Sequence, residues 1–122
     1  MSRRRTQPLS AIAAAAVLAL PAAPAHAGGK ELFEAQCASC HTLDGHSTAA
    51  GPSLKGVVWR KIASLKDYRY SAGLKAQIGD WSPDRLNAYL KDTQGYAPGT
   101  DMFWDIADPA ERKAIVQYLE RQ

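Results

Sequence analysis

The amino-acid sequence predicts a small all-α domain of four or five helices joined by long loops. Two segments begin with strong helix-start signals, Ser82-Pro83 and Asp108-Pro109, in which a capping side chain precedes a proline at the first helical position. Apolar residues recur at helical spacing within both segments. No segment shows the alternation of apolar and polar residues that is typical of a β-strand. Together these observations favour a helical fold over a sheet.

The N-terminal part of the domain offers weaker helix signals. Residues 29–36 lack helix breakers after Gly29 and place Leu32 and Phe33 on one side of a helix. In the segment that follows, residues 61–67 could form a short helix, but Gly73 and Gly79 favour a long loop with helical turns.

The two C-terminal helices are predicted from caps, periodicity and breakers. The helix that begins after Ser82 should be stopped by Gly95 and Pro98. The last helix opens at Asp108, with Glu111 at the capping-box position. The buried stripes of these two helices are predicted to comprise Leu86, Tyr89, Leu90, Ala114, Ile115, Tyr118 and Leu119.

Residues 1–27 have the composition of a cleavable signal peptide. Three arginines at positions 3–5 form a basic start, residues 11–20 are an unbroken apolar run, and Ala25-His26-Ala27 supplies a small-residue cleavage pattern. The apolar run is shorter than the roughly 20 residues that span a bilayer. The paired arginines resemble a twin-arginine signal, but the residues after them favour the general secretory route. The mature domain is therefore predicted to be residues 28–122, in the periplasm.

The formal charge of +3 belongs to the predicted signal peptide. Of the 15 Lys and Arg residues, three precede residue 28, so the remaining 12 equal the 12 Asp and Glu residues. A neutral domain has no electrostatic reason to bind nucleic acid or an anionic membrane surface. A domain of this size also buries little apolar surface on its own. The sequence therefore predicts a chain that needs a bound group to fold well.

The most informative motif is a C-x-x-C-H pattern that begins at Cys37 and ends with Cys40 and His41. Two thiols at this spacing can add to two vinyl groups on one edge of a porphyrin, and the next imidazole can bind the iron. The pattern therefore predicts one covalently attached haem c. Apart from Met1, Met102 is the only methionine, and so the only thioether available as a second iron ligand.

Other interpretations of the two cysteines fit the sequence less well. A structural zinc site needs four ligands, and the only histidines outside the motif are His46 and His26, the latter in the predicted signal peptide. A thioredoxin-like C-x-x-C requires a βαβ pattern, which is not evident. A disulfide within the motif would close too small a loop to stabilise the domain much.

A longer series of residues accompanies the motif in a fixed order. It comprises Gly29-Lys30, Phe33, the C-x-x-C-H motif, Gly51-Pro52, Leu54, Gly56, Arg60-Lys61, Tyr70-Ser71, Trp81, Tyr89-Leu90, Tyr96, Pro98-Gly99-Thr100, Met102, Glu111-Arg112, Ile115 and Tyr118-Leu119. In this order the residues resemble those of class I cytochromes c, nearest to mitochondrial cytochrome c and its bacterial periplasmic relatives. The resemblance covers nearly all of residues 28–122 and implies the small cytochrome c fold.

The resemblance implies a ligand set for the haem. Cys37 and Cys40 would form the thioether bonds, and His41 and Met102 would be the axial iron ligands. The carbonyl of Pro52 would accept a hydrogen bond from the second ring nitrogen of His41, which fixes the tautomer of the ring.

Five further residues are implied to hold the haem. The propionates would accept hydrogen bonds from Arg60, Tyr70 and Trp81. On the distal side, Tyr89 would donate to the ligand sulfur, and Thr100 would help to close that wall.

Two more implications concern packing and docking. Phe33 and Tyr118 would meet where the first and last helices cross. Asp101 occupies a position that is often Lys in the family, and Gln94 and Gly95 also replace basic positions. The ring of lysines that surrounds the haem edge in mitochondrial cytochrome c is therefore thinned here.

The expected function is that of a soluble, monomeric, periplasmic monohaem electron carrier. With both axial positions filled, the iron would have no position for a substrate, so the protein is not expected to be an enzyme. Its partners would be redox proteins such as an oxidase, a reductase or a dehydrogenase. Two alternatives stay open at this point: a haem subunit of a dehydrogenase complex, and a haem peroxidase or gas sensor with a displaceable sixth ligand.

Overall fold

Helices supply the regular secondary structure in the part of the chain that the computed structural model describes, namely Met1, residues 15–21 and residues 27–122. Helix α1 is Gly29–Gln36, and a long loop separates it from the short helix α2, Ala72–Lys75. Helices α3, Pro83–Lys91, and α4, Thr93–Tyr96, are adjacent, and α5, Pro109–Leu119, ends the domain. The predicted all-α fold is confirmed.

The predicted signal peptide lies largely outside the described residues. This applies to the arginines at positions 3–5 and to Ala25 and His26 of the cleavage pattern. The described residues 15–21 are exposed and not helical. Among the residues that the structure describes, no helix has both the length and the apolar composition needed to cross a membrane.

The two helices that start with proline begin as predicted. The Ser82 hydroxyl accepts a hydrogen bond from the backbone N–H three residues later, at 3.2 Å, and the Asp108 carboxylate accepts one from the N–H of Ala110 at 2.8 Å.

The predicted capping box at the start of α5 is not formed. Glu111 instead accepts a hydrogen bond from the Gln36 amide at 2.8 Å and so links α5 to α1.

Residues 61–67 do not form the short helix that their sequence would allow, and the long loop with helical turns is observed instead. Lys61 and Asp80 form an isolated antiparallel bridge, which commits this part of the loop to a distant partner. Ala63 has a φ of 56°, in the left-handed region that a right-handed helix cannot contain. Pairing across the loop has therefore replaced local helix formation.

The helix that follows Ser82 also ends earlier than predicted, at Lys91. Asp92 is extended, with a φ of −156°, and its carboxylate accepts a hydrogen bond from the N–H of Gly95 at 2.8 Å. This cap starts α4 at once, so Gly95 lies inside a second short helix and does not stop the first.

The crossing of α1 and α5 joins the two ends of the domain. The rings of Phe33 and Tyr118 lie 5.7 Å apart at the crossing, as predicted. The backbones approach closely because Gly29 has no side chain. A Cβ at Gly29 would lie 2.6 Å from the Cβ of Tyr118 and closer still to the Ala114 carbonyl oxygen.

We expect Gly29→Ala to lower the free energy of unfolding by about 1–3 kcal/mol, because the added methyl group must force the two helices apart. Denaturant unfolding of the haem-containing protein measures the change. Gly28→Ala is the control, since its Cβ would meet only the carboxylate end of the flexible Glu31 side chain. Equal effects of the two substitutions would contradict the proposed close approach.

Candidate functional site

A cavity of about 310 Å³ is lined by residues of the long loop after α1 and of the segment that joins α4 to α5. Its volume is at the lower end of the range of about 300–1,000 Å³ that is typical of ligand and cofactor sites. All ten residues that the sequence nominated for haem binding line this one cavity: Cys37, Cys40, His41, Pro52, Arg60, Tyr70, Trp81, Tyr89, Thr100 and Met102.

One ring nitrogen of His41 forms a hydrogen bond, and the other has no hydrogen-bond partner within residues 27–122. Its Nδ1 lies 2.7 Å from the carbonyl oxygen of Pro52, and a carbonyl can only accept, so Nδ1 carries the proton. Burial lowers the pKa of His41, which keeps the ring neutral at neutral pH. Gly51 packs against the ring, where a Cβ would lie 2.7 Å from the imidazole Cε1. The lone pair of Nε2 is therefore available to a metal ion.

No disulfide joins the two cysteines, of which Cys37 is buried and Cys40 is exposed. Burial, with a smaller contribution from Cys40, raises the pKa of Cys37 to about 11. A thioredoxin-like site needs a cysteine whose pKa is lowered, so this environment argues against thiol–disulfide chemistry. Within the described residues, no three His, Cys, Asp or Glu side chains are grouped as a zinc site would require.

Arg60 brings a positive charge to the cavity wall. Its guanidinium donates to the backbone carbonyls of Ser53 at 2.8 Å and Lys55 at 3.1 Å. It forms no ion pair within residues 27–122. Burial lowers the pKa of Arg60, yet an arginine stays charged in proteins. A half-buried cation held only by carbonyl groups is suited to an anionic ligand.

Two aromatic side chains that line the cavity, those of Tyr70 and Trp81, carry polar groups. The Tyr70 hydroxyl accepts a hydrogen bond from the N–H of Leu65 at 3.3 Å, which leaves its own proton available. The indole N–H of Trp81 donates no hydrogen bond within residues 27–122, although the residue is buried. Both groups therefore have an unused donor in a cavity that is otherwise mainly apolar.

The segment that carries Met102 is held by a small hydrogen-bond network. The hydroxyls of Tyr89 and Thr100 are 2.6 Å apart, and the N–H of Met102 donates to the Thr100 hydroxyl at 3.4 Å. The Gln94 amide donates to the carbonyl of Thr100 at 2.9 Å and to that of Met102 at 3.4 Å. Because Tyr89 pairs with Thr100 here, its donation to the Met102 sulfur stays a prediction.

Several residues of the site were missed by sequence reasoning. Tyr68 lines the cavity, and its ring packs edge-on against Tyr70 with centroids 5.0 Å apart. Val57 lines the cavity, Gln94 holds the segment that carries Met102, and Leu86, which was predicted only as a buried residue of its helix, also lines the cavity. No motif marks these roles, because an apolar or amide side chain looks the same in the sequence whether it faces a ligand or the core.

These residues fit a haem. The cavity contains two thiols next to a histidine whose Nε2 is available, and it also contains the Met102 thioether. Apolar side chains can enclose the porphyrin ring. Three hydrogen-bond donors, on Arg60, Tyr70 and Trp81, can bind the two propionate carboxylates. The unpaired Arg60 is the most specific of these observations, since an apolar ligand would leave this charge buried without an anion. A site with these groups defines a small helical protein of the c-type haem class.

Comparisons with known proteins agree with this class. The family model described as cytochrome c matches residues 26–122. A cytochrome c-type cyt cy of Rhodobacter capsulatus is 38% identical over 92 residues, which cover 75% of this chain and 46% of that protein, so the chain spans about half of that relative. A cytochrome c of Arabidopsis thaliana is 36% identical over 96 residues, covering 77% of this chain and 86% of that protein.

A solved structure gives the same result. Cytochrome cH from Methylobacterium extorquens superimposes with a TM-score of 0.71 at 33% identity, over 77% of this chain and 95% of that chain. The chain belongs to the cytochrome c family, whose members are electron carriers and not enzymes. Its cofactor is haem c, attached through Cys37 and Cys40, which are the only two cysteines in the sequence.

We expect Gln94→Ala to loosen the segment that carries Met102, because two backbone carbonyls lose their donor. Each hydrogen bond contributes about 1 kcal/mol, so the free energy of unfolding should fall by about 1–2 kcal/mol, and amide hydrogens of residues 99–102 should exchange faster. Gln117→Ala is the control, because the Gln117 side chain is exposed and forms no hydrogen bond within residues 27–122. Unchanged exchange at residues 99–102 would contradict this role for Gln94.

Proposed function

We propose that this cytochrome c is a periplasmic monohaem electron carrier with His41 and Met102 as its axial ligands. The observation that supports the proposal best is that an imidazole with a free Nε2 and the one internal thioether of the chain line the same cavity. Haem iron, when bound, alternates between the ferrous and ferric states and so carries one electron. Two protein ligands would leave no iron position open to a substrate.

The surrounding residues have supporting roles in this proposal. Pro52 fixes the His41 tautomer, and its carbonyl makes Nε2 a better electron donor. Arg60, Tyr70 and Trp81 offer the donors that bind the propionates. The apolar wall excludes water, which favours the less charged ferrous state and raises the reduction potential.

The distal network has a positioning role. The Tyr89 and Thr100 hydroxyls and the Gln94 amide hold the Met102 segment through four hydrogen bonds. A segment held in this way need not move when the oxidation state changes. Electron exchange is then not slowed by rearrangement of the protein.

Export belongs to the same proposal. Residues 1–27 would act as a signal peptide that is removed after Ala27, which leaves residues 28–122 as a monomeric domain in the periplasm. This domain would exchange electrons with redox proteins in transient complexes. Haem c is attached outside the cytoplasmic membrane in bacteria, so export and the C-x-x-C-H motif are consistent with each other.

Optical spectra with carbon monoxide test the ligation. We expect the oxidised protein to show the weak far-red band of sulfur bound to iron, and the reduced spectrum to be unchanged by carbon monoxide. Met102→Ala should lose the band and bind carbon monoxide, because it opens the sixth position. Met102→His should lose the band yet stay insensitive, since a nitrogen fills the same position.

Two outcomes would contradict the proposed ligation. Wild-type protein that binds carbon monoxide readily would favour a gas sensor or a peroxidase with an open sixth position. A far-red band that persists in Met102→Ala would mean that another group supplies the ligand.

Mass spectrometry of the exported protein tests attachment and processing. We expect the mass of residues 28–122 plus one haem. The double variant Cys37→Ser, Cys40→Ser should lose the haem mass and most of its helical circular dichroism signal, because the cavity is then left without the group that completes the core. Ser39→Ala, within the same motif, is the control and should keep both. A haem-free double variant with full helical signal would contradict the link between cofactor and folding.

A further inference from the structure

We propose that Phe103, Trp104, Asp101 and Asp105 form the surface on which a redox partner docks, and that this partner presents basic residues around an apolar centre. We call these four residues the acidic aromatic patch. The inference rests on the proposed carrier function, because it assigns the place where the carrier meets its partner.

The apolar part of the patch lies at the mouth of the haem cavity. Phe103 is 78% exposed and Trp104 is 52% exposed, yet both line the cavity, and they directly follow Met102. Exposed apolar groups of this size mark interaction sites, and aromatic anchors often dominate binding energy. Trp59 and Ile78 are the other large exposed apolar residues of residues 27–122, and neither lines the cavity.

The chain segment that contains the patch carries charged residues of one sign only. Residues 92–111 contain five acidic residues and no Lys or Arg, whereas residues 55–91 contain eight basic and three acidic residues. Since residues 28–122 have no net charge, this segregation sets the direction in which a charged partner is attracted. The complementary partner surface is therefore basic.

The two carboxylates differ in how they are held. Asp101 is exposed and forms no hydrogen bond or ion pair within residues 27–122. Asp105 accepts hydrogen bonds from the N–H of Thr93 at 2.8 Å and from its hydroxyl at 3.0 Å, so its position is fixed. The only Lys or Arg among the described cavity-lining residues is Arg60, which is held by backbone carbonyls. Asp101 is therefore the carboxylate to substitute, because Asp105 also has a structural role.

The test uses the haem-containing protein and a lysine-rich mitochondrial cytochrome c as the basic probe. Stopped-flow mixing gives the second-order rate constant for electron exchange at ionic strengths of about 0.01 M and about 0.15 M. We expect the wild-type rate constant to fall about tenfold or more at the higher ionic strength. Asp101→Lys should lower it about tenfold at low ionic strength and weaken its salt dependence.

Glu120→Lys is the matched control for charge, since it makes the same change at an exposed position at the end of α5. It should change the rate constant less than about twofold. Trp104→Ala and Phe103→Ala should slow exchange at both ionic strengths, because salt does not screen an apolar contact. Ile78→Ala, an exposed apolar residue outside the cavity, should leave exchange unchanged.

Two results would overturn the proposal: a wild-type rate constant that rises with ionic strength, or equal effects of Asp101→Lys and Glu120→Lys. Failure of the carrier function itself is distinguished by a small neutral hydroquinone, which needs no docking surface. If wild type and variants are all reduced by the hydroquinone at the same rate, any loss of exchange with the probe belongs to docking. If none is reduced, the carrier function is wrong.

Discussion

The hydrophobic core of this protein and the wall of its haem cavity are made of the same side chains. Val57, Trp81, Leu86 and Ile115 are each at most 6% exposed, and each lines the cavity. Protein interiors are close-packed, so a core with a cavity at its centre is incomplete until something fills it. The stability of the domain and its binding of haem therefore depend on the same side chains. The long loops surround the haem cavity, so a bound haem would order them.

The two walls of the cavity are stabilised in different ways. On the proximal side, the position of His41 depends on a carbonyl in its own loop and on the small residue beside the ring. On the distal side, the segment with Met102 depends on side chains from α3 and α4, Tyr89 and Gln94. Each proposed ligand would thus be oriented by residues other than the ligands themselves, which is the arrangement that precise metal sites require.

Features that depend on neighbouring residues in the chain could be predicted from the sequence, whereas contacts between residues far apart in the chain could not. The C-x-x-C-H motif and the caps at Ser82 and Asp108 are contiguous signals. The motif predicts haem c, in agreement with the family, and the caps predict two helices that the structure has. The local sequence allowed a helix at residues 61–67, but Lys61 pairs with Asp80, which lies too far along the chain for a local pattern to include. For the same reason Gln94 and Tyr68 were missed at the site. Both residues contribute to the site only because the fold places them there, and a Tyr or a Gln in a sequence does not by itself indicate a haem contact.

The position of Cys37 links the cofactor to the contact between the two ends of the domain. This thiol is the C-cap residue of α1, is 7% exposed and lines the haem cavity. The preceding residue, Gln36, donates a hydrogen bond to Glu111, which lies 75 positions away in α5. Closing so long a loop costs less conformational entropy when a bound haem already holds the intervening chain together. The bond to the haem and the contact between α1 and α5 therefore restrain neighbouring residues, and each limits the movement of the other.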